Sequence, residues 1–173
     1  EEDGVGLAIA ACRKLFDSES AMDPDAVGLI VYVTQNPDYR LPHNSALLQT
    51  QLGLGTNVGA FDINLGCSGY VYALSVVEAL MQAQGISDAL LVTCDPYSKV
   101  MRRDDRNVVG VFGDGATATW MSATTGAQIG RPDFGTDGSD SPHLIIRGDG
   151  AGSPAADTVS EKETSDKRQP ISR

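Results

Sequence analysis

Val58-Gly59-Ala60-Phe61-Asp62-Ile63-Asn64-Leu65-Gly66-Cys67-Ser68-Gly69-Tyr70, running on as Val71-Tyr72-Ala73-Leu74-Ser75-Val76-Val77-Glu78-Ala79-Leu80-Met81-Gln82-Ala83-Gln84, joins two patterns across one short hinge. Val58 to Leu65 is short, apolar and bounded by turn residues, which predicts a strand. Cys67 to Gln84 predicts a long helix, apolar nearly all round and therefore buried. Gly85 closes it as the glycine just past the last helical turn. A strand that runs straight into a buried helix is half of a β-α-β unit, and it sets the expectation for the sequence on either side.

Upstream, Val5, Ala8, Ile9, Cys12, Leu15 and Phe16 recur at helical spacing, so a helix is predicted over about residues 2–17. Turn chemistry follows from Ser18 to Pro24. Val27 to Thr34 is a continuous β-branched run, the pattern of a strand buried on both faces. Pro37 and Pro42 bracket a loop, and Ser45 to Leu52 predicts a short helix closed by Gly53 and Gly55. Downstream, Ala89 to Cys94 predicts a third buried strand, and Asp95 to Asn107 a polar loop. Val108 to Phe112 and Ala116 to Ser122 predict two more strands, joined at Gly113-Asp114-Gly115. Strands alternating with helices in this way specify an α/β layered fold. From Gly148 onward only Ala151, Ala155, Ala156, Val159 and Ile171 are apolar, so a lobe over 1–147 is expected to give way to a polar linker or disordered tail over 148–173.

Composition narrows the function classes. The 173 residues suit one domain with a substantial core. With 13 basic against 23 acidic side chains the net charge is −10, which argues against a nucleic-acid binder. No apolar run approaches the roughly 20 residues of a membrane-spanning helix. Cys12, Cys67 and Cys94 make no C-x-x-C pair and no disulfide framework, and no metal site is expected. Glu1-Glu2-Asp3-Gly4 shows neither the basic nor the apolar region of a signal peptide, so a reduced, cytoplasmic setting is expected. The first residue is not Met, consistent with a start inside a longer gene product.

Cys67 is the residue on which chemistry converges. A thiol at a helix N-terminus faces unpaired backbone N–H groups and the positive end of the helix dipole, and both favour the nucleophilic thiolate. Gly66 and Gly69 permit a tight elbow and close approach of a substrate, and the same N–H groups can stabilise an oxyanion. The competing reading is a small buried hydrophobe. That reading is preferred for Cys12, on an apolar helix stripe, and for Cys94, at the end of a buried strand. Gly66-Cys67-Ser68-Gly69 is not a G-x-S-x-G elbow, and a cysteine hydrolase needs a histidine base. His43 and His143, the two histidines, both read as surface residues. Phe112 to Ala116 lacks phosphate-loop spacing and reads as a structural turn. Lys99, Arg102, Arg103 and Arg106 are either a solvated loop balanced by Asp95, Asp104 and Asp105, or an anion site.

Several pieces in order give the chain a resemblance to the beta-ketoacyl-acyl carrier protein synthase III family. They are Pro37-Asp38-Tyr39 with Leu41-Pro42, Ala60-Phe61-Asp62-Ile63, Cys67 to Leu74, Asp105-Arg106, and Phe112-Gly113-Asp114-Gly115-Ala116. The resemblance runs over about residues 1–147 and implies a thiolase-like layered αβα fold: a mixed β-sheet with a buried nucleophile helix, one half of a two-lobed enzyme. It implies that Cys67 takes an acyl group from acyl-coenzyme A, which is a substrate, with no separate cofactor. The acyl group then passes to the carbanion made by decarboxylating malonyl-acyl carrier protein. Arg106 and Asn107 match the coenzyme A entrance, Phe112 the aromatic beside the tunnel, and Leu41 the position that closes the partner's acyl pocket in a homodimer, where some relatives carry Phe. Gly66 stands where Ala is often found. The family's catalytic His and Asn belong to a second, pseudo-repeated half. Alternatives are acyl transfer to an oxygen, nitrogen or sulfur nucleophile in a specialised pathway, or a non-catalytic dimerisation fragment.

Overall fold

The computed structural model describes residues 3–101, 104, 106–124, 126–139 and 141, and for 107 and 108 the backbone alone. Two compact units are distinguished, Glu1–Pro132 and Asp133–Arg173. Every helix and strand described lies in the first, in the order α1 (Gly4–Ser18), β1 (Val27–Val33), α2 (Asn44–Leu52), β2 (Gly59–Ile63), α3 (Gly69–Gln84), β3 (Asp88–Asp95), α4 (Arg106–Val109) and β4 (Gly115–Ser122), with single 3₁₀ turns at Pro24–Ala26 and Tyr97–Lys99. In the second unit, the Asp137 carboxylate accepts from the Ser139 amide at 2.9 Å. The predicted tail over 148–173 falls outside the described residues.

The four strands form one mixed sheet in the order β2-β1-β3-β4. β1 is parallel to both neighbours, with Val31 opposite Phe61 on one side and Leu91 on the other. β4 runs antiparallel to β3, with Leu91 opposite Thr119. The continuous apolar run of β1 resolves into two faces. Ile30 and Tyr32 join a core with Val5, Ala8, Ile9 and Cys12 of α1 and Leu48 of α2. Leu29, Val31 and Val33 join a second core with Ala73, Val77 and Met81 of α3. Side chains alternate across a strand, so a strand sandwiched between helix layers must be apolar at every position. Each fully buried Ile, Leu or Val contributes roughly 1.5–3 kcal/mol.

The loop between β1 and α2 is tied down by carboxylates at helix N-termini. Asp38 accepts from the Gly4 and Val5 amides of α1 at 2.8 and 2.9 Å. Asp62 of β2 accepts from the Asn44 and Ser45 amides of α2 at 2.7 and 2.9 Å. Each negative charge meets unpaired N–H groups and the positive end of a helix dipole.

Three sequence expectations are corrected. Val108 to Phe112 is not a strand: Arg106–Val109 is one helical turn, and the following chain turns with Val111 and Phe112 exposed. β4 begins only at Gly115, opposite Asp95 at the end of β3, so no length of β3 remains for an earlier strand to pair with. Helix α3 starts at Gly69 rather than Cys67, because a turn closed by the Gly69 amide on the Gly66 carbonyl at 2.8 Å precedes it. Finally, α3 buries one face, Gly69, Ala73, Val77 and Met81, while Tyr70, Val71 and Val76 are exposed. An all-apolar helix shows which residues tolerate burial, and only its neighbours decide which are buried.

Candidate active site

Cys67 lies in the turn between β2 and α3, at the carboxyl ends of the parallel strands, where ligands of open α/β sheets bind. Its side chain is exposed. Ser68, the residue that caps α3, makes no side-chain hydrogen bond to the first turn. The close approach that fixes the elbow is at Gly69: a Cβ there would lie 2.5 Å from Val33 Cγ1 and 3.1 Å from Leu65 Cβ. Only a residue without a side chain lets α3 begin this close to β1. The other two cysteines are buried, as expected.

Two residues at this site carried no sequence signal. Tyr97, in the 3₁₀ turn after β3, donates its hydroxyl to Gln35 Oε1 at 3.0 Å. The Tyr97 ring packs against Phe112 with centroids 5.1 Å apart and planes tilted by 40°. The phenol is held above its usual range, first by partial burial and then by the Asp95 carboxylate and Cys67 beside it. Tyr97, Phe112 and Gln35 therefore form one neighbourhood, with Gln35 against Gly66, the residue before Cys67. Asp95 anchors it: Oδ1 accepts from Thr34 Oγ1 at 2.9 Å, the Gln35 amide at 2.8 Å, the Asn36 amide at 3.2 Å and Asn36 Nδ2 at 3.0 Å. Gln35 and Tyr97 are 62 positions apart, so no local pattern announces their meeting.

The remaining expected residues are more dispersed. Arg106 is exposed at the first position of α4, and Asn107 follows it on the same turn, its side chain outside the described residues. Leu41 is 85% exposed at the tip of the β1–α2 loop, with Tyr39 also exposed. His43 is exposed just ahead of α2 and makes no side-chain cap, whereas His143, Arg102 and Arg103 lie outside the described residues. The Gly113-Asp114-Gly115 turn is held by Asp114, which accepts from the Ser98 amide at 2.7 Å and the Ser98 hydroxyl at 2.5 Å. Those bonds, Ser98 Oγ first, hold the Asp114 carboxyl below its ordinary range. The turn thus ties α4 and β4 to the Tyr97 segment, a structural role. Among the described residues no cluster of three metal-ligating side chains occurs.

A groove of about 870 Å³ runs between the second half of α3 and β4, lined by Leu74, Met81, Ile86, Trp120 and Met121 among others. It contains none of the residues around Cys67, and the chemistry of the thiol gives reason to centre the site on the elbow instead. Among the described residues no helix is long and apolar enough to cross a membrane.

Comparison with known proteins bears on the same region. A family model described as 3-oxoacyl-[acyl-carrier-protein (ACP)] synthase III matches residues 61–138. A beta-ketoacyl-[acyl-carrier-protein] synthase III of Rhizorhabdus wittichii is 35% identical over 124 residues, covering 72% of this chain and 38% of that protein. The protein of the same description from Clostridium perfringens is 32% identical over 158 residues, covering 91% and 48%. A crystal structure of a 3-oxoacyl-(acyl-carrier-protein) synthase III superposes with a TM-score of 0.83 at 42% identity, covering 91% of this chain and 47% of that one. The chain thus spans less than half the length of these relatives.

Proposed function

Since this chain belongs to the 3-oxoacyl-[acyl-carrier-protein] synthase III family, we propose that Cys67 is the acyl-accepting nucleophile of a condensing enzyme of fatty acid biosynthesis. The layered α/β fold is the thiolase-like one of that family. The observation that carries the reading is an exposed thiol at a strand-to-helix elbow, at the carboxyl edge of a parallel sheet, ahead of helical amides with no side-chain cap. In the first half-reaction the Cys67 thiol loses its proton and the sulfur attacks the thioester carbonyl of acyl-coenzyme A. The first-turn amides of α3 face the oxyanion, the coenzyme A sulfur leaves, and it takes up a proton. In the second, malonyl-acyl carrier protein loses carbon dioxide and its carbanion attacks the acyl carbon, releasing the Cys67 thiolate. Acyl-coenzyme A and acyl carrier protein are substrates here, and the chemistry needs no resident cofactor.

In this reading Arg106 and Asn107 flank the coenzyme A entrance and Phe112 walls the acyl tunnel beside Tyr97. Leu41 reaches from the exposed β1–α2 loop to a second copy in a cytoplasmic homodimer. Residues 1–147 are the lobe that carries the nucleophile, and 148–173 connect onward. The decarboxylating His and Asn are assigned to a part of the protein outside these 173 residues. Incubating the full-length protein with acetyl-coenzyme A should add one acetyl group, mapped to Cys67 by peptide mass spectrometry. Cys67→Ala should abolish the adduct, a loss of at least about 10³-fold in loading rate. An adduct that persists in Cys67→Ala, or none in the wild type, overturns the assignment.

A further inference from the structure

Three residues distant in sequence meet beside the nucleophile. Gln35 follows β1, Gly66 stands immediately before Cys67, and Tyr97 opens the 3₁₀ turn after β3. The Gln35 amide occupies the space a side chain at position 66 would fill: a Cβ there would overlap Oε1 and lie 2.9 Å from Cδ. Gly66 thereby lets Gln35 lie against the elbow, and Gln35 is where the Tyr97 hydroxyl ends, at 3.0 Å. Asp95, the last residue of β3, accepts the Gln35 main-chain N–H at 2.8 Å and stands two residues before Tyr97. The Phe112 and Tyr97 rings, 5.1 Å apart, make an apolar surface that finishes in a polar tip, the Tyr97 hydroxyl and the Gln35 side chain, which lies against Gly66, the residue before Cys67.

The hydrogen-bonding capacity of that tip is not used up. A phenol has one O–H to give, and Tyr97 gives it to Gln35, which leaves oxygen lone pairs open. The Gln35 side-chain amide also carries two N–H donors on Nε2, neither of them engaged by the Tyr97 bond, which ends on Oε1. A plain alkyl chain seated there displaces water from these groups and returns no hydrogen bond. A hydroxyl or oxo group restores it, and sites that pair with a substrate hydroxyl discriminate more strongly than apolar ones.

We propose that Gln35 and Tyr97, with Gly66 making room for them, form a polar wall that selects acyl groups carrying a hydroxyl or oxo substituent near the thioester over unsubstituted alkyl chains. The inference rests on Cys67 as acyl acceptor. In the step concerned, the bond from Cys67 sulfur to the acyl carbon forms and the bond from coenzyme A sulfur to that carbon breaks. The thiol proton ends on the released coenzyme A.

The test compares loading of Cys67 from 3-hydroxybutyryl-coenzyme A and butyryl-coenzyme A in the full-length protein, followed by intact-protein mass spectrometry. The wild type should favour the hydroxyacyl donor by about tenfold. Tyr97→Phe, which keeps the ring on Phe112, should reduce that ratio to about twofold or less, and so should Gly66→Ala, which displaces Gln35 by contact. Equal loading of both donors by the wild type, or the full ratio surviving in both variants, overturns the polar wall and leaves Cys67 as acceptor. Loading from neither donor overturns the acceptor assignment and the polar wall together.

Discussion

Two sulfur environments occupy opposite depths of the same sheet. Cys12 of α1 and Cys94 of β3 sit in the core beneath α1, at 0% and 2% exposure. Burial pushes the Cys12 thiol up to about 12 and, as the largest cause, the Cys94 thiol up to about 11. Cys94 donates to the Gly4 carbonyl at 3.3 Å, and the Tyr32 hydroxyl donates to the same oxygen at 3.1 Å. Cys67 stands exposed on the turn between β2 and α3. One residue type thus serves as packing in two places and stands open to solvent in the third, the thiol proposed above as the acyl acceptor. The difference is made by depth and by what lies next in the chain, a helix interior or strand in two cases and an uncapped helix start in the other.

The comparison can be broken most directly by alkylation. With iodoacetamide at pH 8 the folded protein should react at Cys67 at least about a hundredfold faster than at Cys12 or Cys94, and denaturant should level the three rates. Peptide mapping reads the outcome, and comparable rates in the native state would remove the distinction. A second probe moves the elbow itself. Gly69→Ala puts a methyl 2.5 Å from Val33 Cγ1, which should cost about 1–3 kcal/mol in denaturant unfolding. Unchanged stability would mean that α3 yields at its start and that the elbow is not held by that contact.

The smallest effect sharpens the buried side. The folded state holds the Cys12 and Cys94 protons to about 12 and about 11, above the ordinary thiol value of 9.0. Between pH 9 and 11 the unfolded chain therefore releases protons that the folded protein keeps. Stability is intact below about 9 and falls as pH rises, by up to about 1.4 kcal/mol per pH unit for each thiol. Cys12→Ala should flatten the slope of denaturation midpoints over that window, and an unchanged slope would remove burial of that thiol as its cause.

Much of this was legible in local pattern. The β-branched run of β1 showed burial on both sides because a strand between two helix layers has no wet face. Cys67 stood out because strand, glycine, thiol and helix follow one another without interruption. Val108 to Phe112 misled for a complementary reason: β-branched residues tolerate a strand but do not supply its partner, and β3 is already paired with β4 from Gly115 onward. The polar side of the site was illegible. Nothing near Gln35 points to Tyr97, and nothing near either points to Gly66, until parallel pairing of β1 with β2 and β3 brings all three strand ends to one edge.

By itself the sequence determined the periodicities, the elbow and the residue that stands in it, since these depend on neighbours within a few positions along the chain. Which thiols lose water, which face of α3 stays exposed and which side chains meet the nucleophile were decided only by the tertiary structure. Burial and long-range hydrogen bonds exist only once the sheet has assembled.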